Sequence, residues 1–219
     1  MKLFKLEKTM MRNSDANDPR TSYEKYVQEK STLRYYLGLI YRWWLHRKCE
    51  KNVKIARKNG AIVGKNVYMT RAFAKNCTSS TKIGNNVVID ANVLIGGGIS
   101  LTIGDNVIIG KEVKFFLWGH NINSPAWEHY RKRGGLAIED YVWICPYSII
   151  LPRVENIKRG AVVNTGSVLN DNVEAMQIVM GNPAAAIGTR KCVHSELVVE
   201  SLMNNDYKRY KEARKKRRD

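Results

Sequence analysis

The chain has 219 residues, 44% of them hydrophobic, with 37 Lys and Arg against 20 Asp and Glu for a net charge of +17. That length suits one ordinary domain with a real core plus appendages. The longest apolar stretch, Tyr35 to Leu45, is broken by Arg42 and is far too short to span a bilayer.

No apolar run follows the charged first residues, so no signal peptide is expected. The four cysteines, Cys49, Cys77, Cys145 and Cys192, are widely spaced and form no CxxC pair. They fit reduced thiols in a cytoplasm better than a disulfide framework. The charge is uneven: residues 1–60 carry 15 Lys and Arg against 6 Asp and Glu, residues 61–187 carry 12 against 9, and residues 188–219 carry 10 against 5. Basicity therefore lies in the flanks of a nearly balanced body.

The first segment, 1–60, reads as a basic and aromatic helical region. Between about Ser22 and Lys51 the residues Leu33, Leu37, Ile40 and Trp44 fall at helical spacing, beside Tyr35, Tyr36, Tyr41 and Trp43 and interleaved with Arg34, Arg42, Arg47 and Lys48. Such a helix suits the surface of an anionic membrane. A helix capping the open end of a solenoid has much the same pattern, and solenoids require caps. Capping is the expected role, with peripheral membrane contact as a second.

The body, 61–187, carries a six-residue period with a branched aliphatic at each first place. It runs through Ile83, Ile89 and Ile95, slips by two residues, and resumes at Ile103 and Ile109. A later run takes Ile138, Ile144, Ile150, Ile157, Val163 and Leu169. Eleven phased units predict short strands joined by corners, three units to a triangular coil of a parallel β-helix. The first-place aliphatics and the small or aliphatic residues Val87, Val93, Val107, Val113, Val142 and Val162 are expected to point inward. The Gly that often follows the aliphatic suits a corner where a side chain would clash or where the backbone needs an unusual conformation. Asn and Asp tolerate such corners. A helix would need a period near 3.6.

From Phe115 to Ala137 the aliphatic phase disappears. Repeat proteins place insertions on one face, and that face usually carries the function. This excursion, residues 115–137, holds His120, His129, Trp118 and Trp127. His120 follows Gly119 where the last regular coil opens into the loop, with rigid strand on one side and a cleft on the other, as a general base requires.

The last segment, 188–219, is read as a basic C-terminal helix. Its end, Lys208 to Arg218 with Lys-Lys-Arg-Arg at 215–218, suits an anionic lipid, an anionic substrate or simply solvent. No zinc-finger, homeodomain or RNA-recognition pattern accompanies it, so no nucleic acid is expected as a partner.

The stretch Ile103 to His120 (IGDNVIIGKEVKFFLWGH), with Val142-Trp143-Ile144, Ile150-Leu151-Pro152, Gly166-Ser167-Val168 and Gly181-Asn182-Pro183-Ala184, resembles the hexapeptide-repeat acyltransferases, closest to their galactoside, maltose and polysaccharide O-acetyltransferases. The resemblance covers roughly residues 60–190. It implies an all-β fold, a left-handed parallel β-helix with an N-terminal amphipathic helical cap and a C-terminal helix. It also implies a homotrimer, and acetyl-CoA as co-substrate in a groove between subunits.

His120 falls on the family's catalytic histidine, which takes the proton from a sugar hydroxyl as that oxygen attacks the thioester directly. Asn92 matches a family asparagine that orients the hydroxyl or stabilises the oxyanion, and it equally suits a tight corner. Trp143, Asn164 and Thr165 are the candidates for lining the pantetheine arm, and Arg190 and Lys191 for the cofactor's phosphates. Trp118 and Trp127 could stack on a sugar ring or anchor the loop into neighbouring core. Glu128 or a backbone carbonyl would orient His120.

The chain departs from the family on its cofactor-binding half. Cys145, Arg153, Lys158 and Asn164 stand where glycine is usual, Pro146 where Ser or Ala is usual, and Asn170-Asp171 where Thr-Lys is common. Ala185 and Gly188 replace a basic residue, and one extra residue separates Ile150 from Ile157, implying a bulged corner. Main-chain contacts to the cofactor do not depend on those side chains.

The expected activity is transfer of acetyl from acetyl-CoA to a sugar hydroxyl in surface polysaccharide or glycan biosynthesis. The expected location is cytoplasmic, peripheral at the inner membrane face, where lipid- or nucleotide-linked glycans are met. The alternatives are an amino-sugar N-acetyltransferase and a non-catalytic trimeric scaffold. A zinc enzyme on the same scaffold needs three convergent histidines, and none of His46, His120, His129 and His194 lies on a regular coil with ligand spacing, so no metal is expected.

Overall fold

The structure is a computed structural model and describes residues 21–96, 100–131 and 134–215. Three parallel sheets form the sides of a β-helix. The first stacks β1 (Ile62–Val63), β2 (Thr81–Ile83), β5 (Leu101–Ile103), β10 (Leu136–Ile138) and β13 (Asn156–Ile157). The second stacks β3 (Val88–Ile89), β6 (Ile108–Ile109), β11 (Trp143–Ile144), β14 (Val162–Val163) and β16 (Gln177–Gly181), with β17 (Ala184–Thr189) added antiparallel on β16. The third stacks β4 (Leu94–Gly96), β7 (Lys114–Phe116), β12 (Ile149–Ile150) and β15 (Val168–Leu169).

Three units of six make about 18 residues per coil, and the observed register shows where this chain departs from that. Lys82 pairs with Thr102 and Val88 with Ile108, a step of 20. The extra two residues are the slip after Ile95-Gly96, of which residues 97–99 lie outside the described set. Thr102 pairs with Ala137, a step of 35 that contains the excursion. Ala137 pairs with Asn156, a step of 19. The single extra residue forms the bulged corner expected before Ile157, and Asn172 fills it: its Oδ1 accepts from the N–H groups of Glu155 (2.7 Å) and Asn156 (2.9 Å).

The phased aliphatics make the core. Ile83, Ile89, Ile103, Ile109, Ile138, Ile144, Ile150, Ile157, Val163 and Leu169 are buried, as are Val87, Val93, Val107, Val113 and Val142. Each such side chain contributes roughly 1.5–3 kcal/mol by leaving water. Val162 is a correction: counted from Ile157, Ala161 takes the fifth, inward place and is buried, while Val162 takes the sixth and is only half-buried. Phe115 and Leu117 are also buried, so the chain keeps its coil through Leu117 and leaves it later than the lost aliphatic phase suggests.

The corners separate two roles that the sequence runs together. The left-handed backbone falls on the fourth residue of a unit, at Asn66, Asn86, Asn106 and Tyr141 in one column and Asn92, Glu112 and Tyr147 in another. Asn tolerates that backbone, and here its amides form a ladder between successive coils: Asn66 Nδ2 donates to Asn86 Oδ1 (3.0 Å) and Asn86 Nδ2 to Asn106 Oδ1 (3.1 Å). The glycine after the aliphatic is required for space. A Cβ on Gly84 would sit 2.7 Å from the carbonyl carbon and oxygen of Gly104 in the next coil. Gly84→Ala must therefore prise two coils apart, and a loss of about 1–3 kcal/mol is expected in chemical denaturation.

Helices close the first coil. The helices in chain order are α1 (Ser22–Gln28), α2 (Thr32–Lys58), α3 (Arg71–Asn76) and α4 (Tyr207–Ala213). It is α3 that takes the third side below β4, with Thr70 as N-cap and Phe73 driven into the core. The second half of α2 is the end cap: Val53 and Ala56 join the main core, and Asn52 Nδ2 donates to the Met69 carbonyl (2.8 Å). The first half packs on α4, with Tyr35 stacked on Tyr210 at 5.2 Å. There Arg42 Nε meets Asp206 Oδ1 at 2.7 Å in a buried ion pair, the Tyr23 hydroxyl donates to Asp206 Oδ2, and the Arg42 guanidinium lies 4.0 Å from the Tyr210 ring.

Two expectations for the flanks are corrected. The Ser22–Lys51 segment is two helices, because Thr21 and Glu24 form a capping box that starts α1 and the chain breaks again before Thr32. The stripe Leu33, Leu37, Ile40 and Trp44 does not form the cap; it faces outward, and the capping face is Leu45, Cys49, Val53 and Ala56. In the last segment the helical part is a short 3-10 turn, Val199–Met203, and α4. Most of the Lys-Lys-Arg-Arg run, residues 216–218, lies outside the described residues.

Burial also ranks the thiols. Loss of hydration pushes Cys49 up to about 12 and Cys77 up to about 11, and raises Cys145 as well, while Cys192 is exposed. Only a thiolate attacks. A disulfide reagent on the native protein is expected to titrate one thiol per chain, at Cys192, and four after denaturation.

Candidate active site

Beyond Leu117 the chain rises off the coil as β8 (Trp118–His120), which pairs antiparallel with β9 (His129–Arg131), His120 opposite His129. The hairpin tip is built by local bonds. Asn121 N–H donates to the Glu128 carbonyl (2.9 Å), Ser124 N–H to the Asn121 carbonyl (3.1 Å) and Trp127 N–H to the Ser124 carbonyl (3.1 Å). Trp127 takes a left-handed backbone, φ 50°. That turn brings the Trp127 carbonyl to 2.7 Å from His120 Nδ1.

A carbonyl only accepts, so Nδ1 carries the proton and Nε2 carries the basic lone pair. This is the tautomer a general base needs, on a ring that stays exposed to solvent. The orienting group is therefore the main chain of Trp127; the Glu128 carbonyl is used instead to hold the tip. The Trp118 ring stands edge-on to His120, centroids 5.7 Å apart at 73°. Trp118 in turn lies over Gly96 of β4, where a Cβ would sit 3.2 Å from the indole Nε1. Gly96 and the Trp127 carbonyl are contributions the sequence reading missed, since neither a missing Cβ nor a main-chain oxygen has a motif.

The remaining candidates occupy other corners. Asn92 sits between the second and third sheets with φ 57°, its Nδ2 donating to Glu112 Oε1 at 2.7 Å. Asn164 and Thr165 lie at that same corner two coils beyond Glu112. Asn164 Oδ1 accepts from Thr165 N–H (2.8 Å), and its carbonyl accepts from the Ser148 and Ser167 hydroxyls (3.1 and 2.6 Å). Trp143 projects from the outer face of sheet two, 44% exposed. Arg190 Nη1 donates to the Tyr141 carbonyl at 3.0 Å and so pins the end of β17 to the first corner, while Lys191 is exposed. Trp127 is 61% exposed and anchors nothing with its side chain in the core.

The chain therefore spreads these residues over three edges and one face of a triangle, with His120 at the edge between sheets three and one. The unusual residues also find local uses. Pro146 packs on Gly110, where a Cβ would lie 2.7 Å from the Pro146 nitrogen. Arg153 pairs with Asp171 (3.4 Å) and Lys158 with Glu174 (2.6 Å) across stacked coils. Both pairs are exposed and contribute little to stability. Among the described residues, no three His, Cys, Asp or Glu side chains converge as a metal site would need.

The regular coil of the β-helix is thus interrupted by a hairpin bearing an oriented, solvent-facing histidine. Comparison with known proteins identifies the family. No family model matches the chain. It is 31% identical over 144 residues to SAV2555 of Staphylococcus aureus (strain Mu50 / ATCC 700699), an inferred acetyltransferase, covering 65% of this chain and 70% of that one. It is 28% identical over 143 residues to the galactoside O-acetyltransferase of Escherichia coli (strain K12), covering 63% and 68%. Among solved structures, a hexapeptide-repeat acetyltransferase of Vibrio cholerae O1 biovar eltor, complexed with acetyl coenzyme A, superposes with a TM-score of 0.50 at 24% identity, covering 77% of this chain and 84% of that one. The chain belongs to the hexapeptide-repeat acetyltransferase family.

Proposed function

We propose that this protein transfers acetyl from acetyl-CoA to a sugar hydroxyl, as a homotrimer on the cytoplasmic side of a membrane, in the assembly of a surface polysaccharide or other glycan. The observation that carries the reading is the 2.7 Å contact between His120 Nδ1 and the Trp127 carbonyl, which leaves the basic lone pair on Nε2. In the reaction, Nε2 takes the hydroxyl proton as the sugar oxygen attacks the thioester carbonyl carbon. The tetrahedral intermediate collapses, the C–S bond breaks, and the thiolate leaves with the proton that His120 returns.

The separation of His120, at the edge between sheets three and one, from Asn92, Asn164 and Thr165, together at the edge between sheets two and three, supports a trimer. A groove between protomers would set one edge of a protomer against another edge of its neighbour. Acetyl-CoA is present in the Vibrio cholerae relative, and the sugar acceptor follows the galactoside enzyme. With the basic residue near Gly181-Asn182-Pro183-Ala184 replaced, Trp143, Asn164 and Thr165 would line the pantetheine arm and Lys191 would meet phosphate.

The test is calorimetric titration with acetyl-CoA together with thiol release on a panel of sugars and amino sugars. Saturable binding and thiol release dependent on a hydroxyl acceptor are expected. No binding at millimolar acetyl-CoA would overturn the donor, and faster release with an amino sugar than with its hydroxyl counterpart would move the acceptor atom to nitrogen.

A further inference from the structure

One face of α2 is not used by the fold. Leu33 is 71% exposed, Ile40 64%, Leu37 59% and Trp44 55%, with Tyr41 and Trp43 beside them. At 100° per residue, positions 33, 37, 40 and 44 fall on one stripe about 17 Å long, and the opposite face is spent on Tyr35, Arg42, Leu45 and Cys49 in the interior. Isolated exposed apolar residues are ordinary; a contiguous stripe of large ones marks an interaction surface.

The charges around the stripe select its occupant. The Arg47 guanidinium lies 5.2 Å from the Trp43 ring centroid and the Lys48 ammonium 5.4 Å from that of Trp44, so the two cations flank the two indoles. Arg34 and Lys51 extend the basic rim, and Glu50 is the one carboxylate in the whole helix. Two copies of this face set against each other would bring Arg and Lys together with almost no countercharge, in a chain whose net charge is already +17. An anionic lipid surface supplies that countercharge. Indole and phenol rings are also suited to the headgroup boundary, where one end is apolar and the other wet. No helix among the described residues is long and apolar enough to cross a membrane, so the geometry is that of a helix lying in the surface plane.

We propose that the outer face of α2 docks the protein onto an anionic phospholipid bilayer, with Leu37, Ile40 and Trp44 entering the acyl boundary and Arg34, Arg47, Lys48 and Lys51 meeting the headgroups. This deepens the membrane-side location proposed above and is independent of the transfer chemistry.

The experiment is flotation of the full-length chain, without acetyl-CoA, on vesicles of phosphatidylcholine alone and of phosphatidylcholine mixed with phosphatidylglycerol. The wild type is expected to float with the mixed vesicles, at least about tenfold less with the neutral ones, and progressively less as salt is raised. Ile40→Asp/Trp44→Asp, which alters only exposed side chains, is expected to lose at least about tenfold of that binding. Quenching of wild-type tryptophan fluorescence by brominated lipid reads the same insertion without a variant. Wild type that stays in solution with anionic vesicles, or a double variant that floats as well as wild type, overturns the proposal. So does vesicle-free self-association that the double variant abolishes, which would make the occupant a second copy of the chain. Failure of acetyl transfer would leave the flotation result unchanged, so the two readings fall separately.

Discussion

Replacing His120 with Ala is expected to lower acetyl transfer by roughly two to four orders of magnitude while the fold and acetyl-CoA binding persist. The side chain is exposed at the end of β8, so its loss opens no core cavity. What is lost is the Nε2 lone pair, oriented by the Nδ1 contact to Trp127. The measurement is kcat for thiol release, beside calorimetric affinity for acetyl-CoA and a thermal melt. Activity near wild type would remove His120 from the reaction. Trp127→Gly gives the complementary result: glycine adopts the φ of 50° freely and retains the carbonyl. The base therefore stays aligned, and any loss through a missing sugar contact should fall on the acceptor's KM.

Arg42→Met is expected to cost the helical cap about 3–5 kcal/mol. Asp206 is wholly buried, and Arg42 Nε at 2.7 Å is its cationic partner, with the Tyr23 hydroxyl as its second contact. Removing the guanidinium leaves a buried carboxylate that also faces the Glu200 carboxyl without its contacting cation, and takes the cation off the Tyr210 ring. The loss should be local. Solenoid coils are held by their neighbours, so amide exchange should quicken in α1, the first half of α2 and α4 while the later coils keep their protection. Asp206→Asn added to Arg42→Met should recover part of the stability, because a neutral amide is cheaper to bury than an unpaired charge. Uniform acceleration across all coils would show instead that cap and β-helix unfold as one unit.

The architecture was written in the sequence because its signal is periodic. An aliphatic every six residues can be buried only by stacked three-sided coils, and each unit repeats the same instruction, so the interruptions at the slip, the hairpin and the bulge before Ile157 are visible as breaks in phase. His120 was legible as a candidate for a related reason: it stands where the repeat stops. Tertiary structure alone decided what depends on atoms brought together from distant positions or from the main chain. The six-residue period cannot say that Gly84 needs space rather than an unusual φ, since that follows from the carbonyl of Gly104 in the next coil. Composition cannot say which face of a helix crowded with aromatics turns inward; the packing of Tyr35, Arg42 and Leu45 against α4 and the first coil turned the Leu33–Trp44 stripe out to solvent. Nor does any residue type announce a backbone oxygen, and it is the Trp127 carbonyl, set by a left-handed turn, that fixes the proton on His120.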